Sequence, residues 1–484
     1  MGEIDLYKSL ALWNSHWTTG KVSKLIKKHE EPRRTFYHIR KRITNLPFEI
    51  MAGPRQVGKT TMMGHLMEYL MEEGYRPEEI LYVPLDVPAV AAELGGGLQA
   101  VVDVYERLIL KESISKVKRP VIFFLDEIHT LPDWGKELKG LYDQYHPTLR
   151  VLGTGSSSAA LLNPTTADAP GRWEKNHMHP LKFLEAAGSY GIGGLEEIGK
   201  LARNARDALA GLGTSTESRN AAGEAISALY AATLPHADRL YAAFDGYLLR
   251  GGFPRVQPPA TMEDSFRFFE VVMDTAISKD LKLYEKVRKP QAFRSFLVML
   301  AKNHGGKFIS AGCAKDLGVD KETPASWKAV AEELFFVHQL QRVNDSFHYV
   351  PGKADKAYLQ DPGLLSFLSV STEITELEGS GKIGNVVEGV LFDHLRRLQF
   401  NTLGHRNGTI GYFDKPEVDF IVQLPHAWLA VESKYRKRIS GADRRLVQYF
   451  EGRPNVMPVV ATRDKFEIRD DAWIVPAWLL CMIA

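Results

Sequence analysis

Cysteine is almost absent from this sequence: Cys313 and Cys481 are the only two in 484 residues, and they lie far apart. That excludes a disulfide framework and a cysteine-based zinc site, and it suits a reducing compartment. An excess of charge of one sign is also missing. With 61 basic against 59 acidic residues the formal net charge is +2, so overall charge does not argue for a polyanionic partner and only local clusters can. The apolar run from Trp473 to Ala484 is too short to span a bilayer and contains Pro476, so it is expected to form a last buried strand. The opening MGEIDLYKSLALWNSHW lacks a basic start followed by an apolar stretch; the expectation is a cytoplasmic protein with no membrane partner. Apolar content is ordinary at 44%, enough for a large core, and at about 150 residues per domain the length suggests three domains.

What the sequence does contain is a complete phosphate-binding loop, G-x-x-x-x-G-K-S/T, written by Gly53, Pro54, Arg55, Gln56, Val57, Gly58, Lys59, Thr60 and Thr61. Phe48, Ile50 and Met51 read as a strand entering it, and Met63, Leu66, Met67 and Leu70 recur at helical spacing behind it, the strand-loop-helix context the motif needs. Gly53 and Gly58 let the backbone curl so that N–H groups face an anion, and the helix adds its positive dipole end. Lys59 is expected to reach the β- and γ-phosphates of ATP, and the Thr60 hydroxyl to sit on Mg²⁺.

Downstream, Ile80 to Asp86 reads as a second strand, followed by a helix carrying Val101, Val104, Tyr105 and Leu108. Val121 to Leu125 is an unbroken apolar run, as expected of a central parallel strand covered on both faces, and it ends in Asp126-Glu127. Ligands of open α/β sheets gather at the carboxyl ends of strands. Asp126 is therefore placed to hold the Mg²⁺ water shell, and Glu127 to orient and polarise the water attacking the γ-phosphate. A further strand from Leu149 to Gly155 ends in Ser156-Ser157-Ser158, hydroxyls in the position of a γ-phosphate sensor, and a strand-like stretch follows from His177 to Leu181. Arg172 reads either as an arginine finger supplying transition-state charge or as one half of a surface ion pair. Residues 1–45 are a basic, aromatic-dotted lead-in, readable as a solvated helix face or as a contact for DNA or a nucleotide base.

GPRQVGKTT, FFLDEIH, VLGTGSSS and GRWEKNHMHPLKFLE resemble the AAA+-type P-loop ATPases of the archaeal and bacterial family fused to a C-terminal nuclease-like domain, and Arg250-Gly251-Gly252-Phe253-Pro254 resembles that family's Gly-Gly-aromatic-Pro turn. The resemblance implies ATP binding and hydrolysis, with Lys59, Thr60, Asp126, Glu127 and a serine near Ser156 in the usual roles.

The remainder divides into a helical lid or insertion over 186–290, a middle module over 291–352 and a C-terminal domain over 353–484, after an ATPase core over 46–185. The middle module reads as three short helices and a hairpin, the pattern of a winged helix, with the wing over 335–351. Its third helix carries Glu322, Glu332 and Glu333 beside Lys321 and Lys328, which is poor electrostatics for DNA, so DNA reading and a protein-contact or spacer role both stand.

In the C-terminal domain, Glu388 opens a helix, and two strands run over 417–424 and 427–434. A symmetric hairpin sets Asp419 opposite Glu432 and Glu417 opposite Lys434, all on one face. Two carboxylates facing across a ladder repel, which points either to a charged hairpin facing solvent or to a cation between them, Mg²⁺ or Mn²⁺ on oxygen ligands. Lys434 then neutralises a scissile phosphate or holds the attacking water, with Glu388 a further ligand or supporting base. Asp419 and Glu432-Ser433-Lys434 resemble the PD-(D/E)xK nuclease pattern, implying a restriction-endonuclease-like α/β fold. Arg436, Lys437, Arg438, Arg444, Arg445 and Arg453, interleaved with Tyr435, Tyr449 and Phe450, form a footprint suited to a phosphate backbone.

The whole reads as an α/β protein: a P-loop parallel-sheet ATPase that engages or remodels DNA, duplex or branched, with a metal-dependent nuclease or DNA-binding domain behind it. The rival reading is a nucleotide-gated switch whose nuclease-like domain only recognises a partner. A P-loop kinase is disfavoured by Glu127, which suits the activation of water. Self-assembly into a homo-oligomer is left open.

Overall fold

The apolar runs around the phosphate loop become the strands β1 (Phe48–Ala52), β2 (Ile80–Pro84), β3 (Val121–Asp126) and β4 (Leu149–Gly155), joined by β5 (Trp173–His177). They form one sheet in the order β2-β3-β4-β1-β5, every pair parallel. All residues of β3 are buried, as its unbroken apolar run requires of a strand covered on both faces. The computed structural model describes residues 3–27, 29, 32–45, 48–95, 97–156, 173–284, 287–404, 406–435 and 441–484. Its contacts divide the chain into two units, Met1–His179 with Glu333–Phe335 and Pro180–Glu332 with Phe336–Ala484.

In the first unit, the start of the lead-in packs against the sheet. Helix α1 (Glu3–Trp13) buries Leu6 and Leu10 in the core of the sheet domain. Asn14 then pairs with the exposed edge of β2 like a one-residue strand: its Nδ2 donates to Tyr82 O at 2.8 Å, and its Oδ1 accepts from Tyr82 N at 2.7 Å. Trp17 Nε1 donates to Ile80 O at 2.9 Å. An edge strand whose N–H and C=O groups are capped in this way offers nothing to another chain.

The helix behind the loop is α2 (Lys59–Glu72). Two expectations need correction in this unit. The helix over Val101 to Leu108 stops as α3 (Gly97–Val104) and widens into π-type turns over Tyr105–Leu110; the change of period carries Leu108 out to 36% exposure. The last strand ends at His177 instead of running to Leu181, with Met178 N donating to Ala52 O at 2.8 Å.

After a short helical turn over Phe183–Ala186, the second unit continues with the helices α4 (Leu195–Ala210), α5 (Thr216–Thr233), α6 (Ala237–Arg250) and α7 (Met262–Ser278). Next come α8 (Pro290–Lys302), α9 (Ser310–Leu317) and α10 (Thr323–Glu333), the three helices expected there. The expected wing takes a different form. Strand β6 (Val337–Arg342) continues only to a single bridge between Val343 and Tyr349, and it pairs antiparallel with β7 (Lys356–Leu359) and parallel with β8 (Ile410–Phe413). Both strands are thereby built into one eight-stranded sheet, β12-β13-β11-β10-β9-β8-β6-β7. A separate module closing at residue 352 is not what these pairings make. The other strands are β9 (Val418–Gln423), β10 (Trp428–Lys434), β11 (Val456–Thr462), β12 (Glu467–Ile468) and β13 (Trp473–Pro476). The helix α11 (Ile383–Thr402) precedes β8, and α12 (Ala442–Phe450) lies between β10 and β11.

The apolar C-terminal run is half strand and half helix. After Pro476, Ala477–Ile483 turns into a helix, every residue of it buried. The Gly-Gly-Phe-Pro turn is held by Asp361, whose Oδ2 accepts from Gly252 N at 2.8 Å and whose Oδ1 accepts from Gly363 N at 2.8 Å. Gly251 has φ +79°, and a Cβ there would lie 1.8 Å from Asp361 Oδ1, so glycine is the residue that allows the carboxylate to approach.

Candidate functional site

At the carboxyl end of β1 the loop closes through two tight approaches. A Cβ on Gly53 would stand 2.3 Å from Met178 O, and Gly58 adopts φ +102°; Gln56 also has positive φ, at 60°. Arg33 braces the loop from outside, its Nη1 donating to Val57 O and to His179 O, each at 2.9 Å. Lys59 is buried at the start of α2, with Nζ donating to Gly53 O at 2.8 Å and Pro54 O at 3.1 Å. Thr60 Oγ1, one residue on, donates to Asp126 Oδ2 at 2.7 Å. The same carboxylate receives Tyr82 OH at 2.7 Å, and Thr154 Oγ1 donates to its other oxygen. Asp126 is thus fixed by hydroxyls from α2, β2 and β4.

Glu127 follows in the left-handed region at φ 54°, which turns its side chain back toward the loop. Its Oε2 accepts from Ser156 N at 2.9 Å and stands 3.2 Å from His129 Nδ1, while Oε1 is 3.9 Å from Lys59 Nζ. Burial opposes ionisation of Glu127, but Lys59, His129 and Arg55 outweigh it and hold the carboxyl below its ordinary value. Glu127 is therefore an anion aimed at the loop. Asp86, past the end of β2, is raised by burial and by Glu127 and Asp126. Ser156 Oγ lies 3.5 Å from His129 Nε2. Ser157, Ser158 and Arg172 fall outside the described residues.

The second unit carries a separate cluster of acids. Strands β9 and β10 pair antiparallel with Gln423 opposite Trp428, Val422 opposite Leu429 and Phe420 opposite Val431; one more step of that register sets Asp419 opposite Glu432. Asp419 Oδ2 accepts from Ser433 N at 2.9 Å. Lys434 forms an ion pair with Glu432 Oε1, and the other oxygen of Glu432 is buried without a hydrogen-bond partner. Burial and Asp419 push the Glu432 carboxyl up to about 7, against the pull of Lys434. Glu388, from α11, is likewise raised by burial and by Asp419. Between Glu388 and Asp419 stands Lys356 of β7, its Nζ 3.0 Å from Glu388 Oε1 and 3.4 Å from Asp419 Oδ1. Tyr358 OH also donates to Glu388 Oε1.

Residues 47–187 match the family model described as an AAA domain. That stretch holds the phosphate loop and the Asp126-Glu127 pair, so this part of the chain is similar to an AAA domain. Residues 241–375 match a domain of unknown function (DUF8612), a span that contains both the Gly-Gly-Phe-Pro turn and Asp361. Over 369 residues the chain is 24% identical to the uncharacterized protein Rv2008c of Mycobacterium tuberculosis, covering 76% of this chain and 66% of that protein; the chain thus spans just under two thirds of that relative. It is 19% identical over 396 residues to an uncharacterized protein of Haemophilus influenzae, covering 79% of this chain and 81% of that one. Among solved structures it is similar to the Walker-type ATPase PABY2304 of Pyrococcus abyssi, at 13% identity and a TM-score of 0.37, covering 71% of this chain and 99% of that one.

The first unit brings Lys59, Thr60, Asp126, Glu127 and Ser156 together, and adds four residues that the sequence did not single out for the site: Arg33, Tyr82, His129 and Thr154. Of these only His129 had a local signal, two positions after Glu127. The second cluster joins Glu388, Asp419, Glu432 and Lys434 and adds Lys356 and Tyr358. Among the described residues no group of three or more His, Cys, Asp or Glu is arranged to hold a metal ion. A ligand set of Glu388, Asp419 and Glu432 together is therefore corrected, since the Lys356 ammonium lies between the first two. The pair Asp419 and Glu432 still fits a hard cation, having a buried oxygen with no partner.

Of the basic footprint, three residues can be placed. Arg436, Lys437 and Arg438 lie outside the described residues, and Arg444 and Arg445 are exposed on α12. Arg453 is engaged: Nη1 donates to Asp345 O at 2.9 Å, and the guanidinium lies 5.7 Å from the Tyr449 ring centroid and 5.9 Å from that of Phe347. Tyr435 and Phe450 are buried and cannot stack on bases. In α10, Lys328 is paired with Asp355 at 3.0 Å. No helix of the described residues is long and apolar enough to cross a membrane.

Proposed function

We propose that the protein hydrolyses ATP in its first unit, and that its second unit binds DNA and cleaves phosphodiesters with a divalent ion. The observation that carries the ATPase reading is Asp126, held at 2.7 Å from the hydroxyl of the loop's own Thr60, with the anion of Glu127 beside it. Thr60 and Asp126 are two oxygen donors suited to Mg²⁺, which would neutralise charge on the β- and γ-phosphates. Lys59 binds those phosphates, and the loop N–H groups cradle them. Glu127 orients the attacking water and accepts its proton, held in place by Ser156 N and His129. Arg172 is assigned the transition-state charge. Replacement Lys59→Ala is expected to abolish ATP turnover; hydrolysis at the wild-type rate in that variant sinks the ATPase reading.

The nuclease reading is supported by the order α11, β8, β9, β10, α12, β11, a helix-strand-strand-strand-helix-strand run with Asp419 and Glu432 on adjacent strands. Those two carboxylates would hold Mg²⁺ or Mn²⁺, and Lys434 would stand beside the scissile phosphate or the attacking water. Duplex, branched and single-stranded DNA, assayed side by side for binding, ATPase stimulation and nicking, test this reading. Asp419→Ala and Lys434→Ala should each abolish Mg²⁺-dependent nicking; unchanged nicking in both places the chemistry elsewhere.

A further inference from the structure

Three carboxylates and two ammonium groups share the acid face of β9 and β10, and they share it unevenly. Glu388 receives Lys356 Nζ at 3.0 Å and the hydroxyl of Tyr358. Asp419 turns one oxygen to Lys356 at 3.4 Å and the other to Ser433 N at 2.9 Å. Glu432 is only 5% exposed; one of its oxygens meets Lys434, and the other has no partner. On the Glu388 side, Lys356 and Tyr358 both meet Oε1, whereas the Glu432 side keeps a buried oxygen that no cation meets.

We propose that this site takes a single divalent cation, between Asp419 and Glu432, and that the Lys356 ammonium permanently fills the place a second ion would need between Glu388 and Asp419. The inference rests on reading the hairpin as a metal site, and adds its stoichiometry. Charge supports it: three carboxylates against Lys356 and Lys434 leave one negative charge, which one divalent ion overcompensates and a second would turn into strong repulsion against a buried ammonium. Lys356 is itself largely covered, its side chain 13% exposed, and its Nζ lies within reach of both acids, 3.0 Å from Glu388 and 3.4 Å from Asp419. A hard cation takes carboxylate oxygens and completes its shell with water, so two protein carboxylates suffice. The arrangement implies cleavage, where it occurs, by one metal ion, with Lys356 neutralising the third acid.

Mn²⁺ titration of the nucleotide-free full chain, followed by the electron paramagnetic resonance of free Mn²⁺, tests the proposal without reference to activity. Wild type should bind one Mn²⁺ that Glu432→Gln loses. Lys356→Met should bind a second ion, or the first at least about tenfold more tightly, because a repelling charge is gone. Lys356→Arg, which keeps the charge, should behave as wild type and guards against a folding defect in the Met variant. Two ions lost together in wild type on Glu432→Gln overturn the proposal, as does Lys356→Met binding one ion with unchanged affinity. If wild type binds none that Glu432→Gln removes, the metal reading of the hairpin falls first, and this inference with it.

Discussion

Glu432 is where the second unit should respond most plainly to pH. Its carboxyl, ordinarily near 4.5, is pushed up to about 7 by burial and by Asp419 across the hairpin. A raised carboxyl binds its proton more tightly in the folded chain than in the unfolded one. Its stabilising effect is therefore complete below about 4.5 and is lost as pH climbs through 7. The distance between the two values is worth about 3 kcal/mol. Glu432→Gln keeps the shape and an oxygen for Lys434 but cannot ionise. The variant should gain little at pH 5 and about 3 kcal/mol over wild type at pH 8. Urea unfolding of both proteins at each pH measures this, and the pairing cancels the titrating groups remote from Glu432. A difference between variant and wild type that stays flat from pH 5 to 8, or falls, refutes the account of Glu432.

Glu127→Gln should lower ATP turnover by about two to four powers of ten while leaving nucleotide affinity nearly intact, because Lys59 and the loop amides are untouched; parallel measurement of kcat and nucleotide Kd checks this, and equal losses in both contradict it. Asn14→Ala should cost about 2–3 kcal/mol by unpairing the Tyr82 N–H and C=O at the edge of β2, visible as faster amide hydrogen exchange in that strand; protection equal to wild type argues against the capping role. Gly251→Ala should destabilise the second unit by about 3 kcal/mol, since a methyl at positive φ meets the Asp361 carboxylate. An unshifted unfolding midpoint in that variant would show the turn to be looser than described.

What could be read from the sequence was whatever is local in it. The phosphate loop, β3 with its terminal acids, the hairpin register and the three helices from residue 290 each depend on patterns a few residues long. Tyr82, Thr154 and Lys356 were out of reach because their partners are set by sheet order. Lys356 reaches Asp419 from β7, with β6 and β8 lying between their strands, and no spacing announces that. Periodicity failed where it carries no information. Trp473 to Ala484 is apolar throughout and buried throughout, so neither a period of two nor one of 3.6 stands out, and strand and helix look alike. Leu108 misled for the opposite reason: its helical spacing is regular, but the helix widens beneath it. Arg453 counted toward a basic footprint only until its partner Asp345 came from elsewhere in the chain.

The two acid clusters differ in how their charge is held, and the difference bears on what each can bind. Asp126 is fixed by three hydroxyls, from Thr60, Tyr82 and Thr154. Hydroxyls orient a carboxylate without bringing a positive charge to it. Lys59, the nearby cation, is held mainly by backbone carbonyls of its own loop, contacts that phosphate oxygens can replace one for one. In the second unit the acids are held by ammonium groups instead. Lys356 and Lys434 cancel most of the charge in place, and Glu432 retains a buried oxygen with no partner. The first arrangement suits a ligand that brings many negative charges together with a metal. On the proposed reading the second takes one cation, and Lys434, 31% exposed at its side chain, would be the positive group facing an incoming phosphodiester.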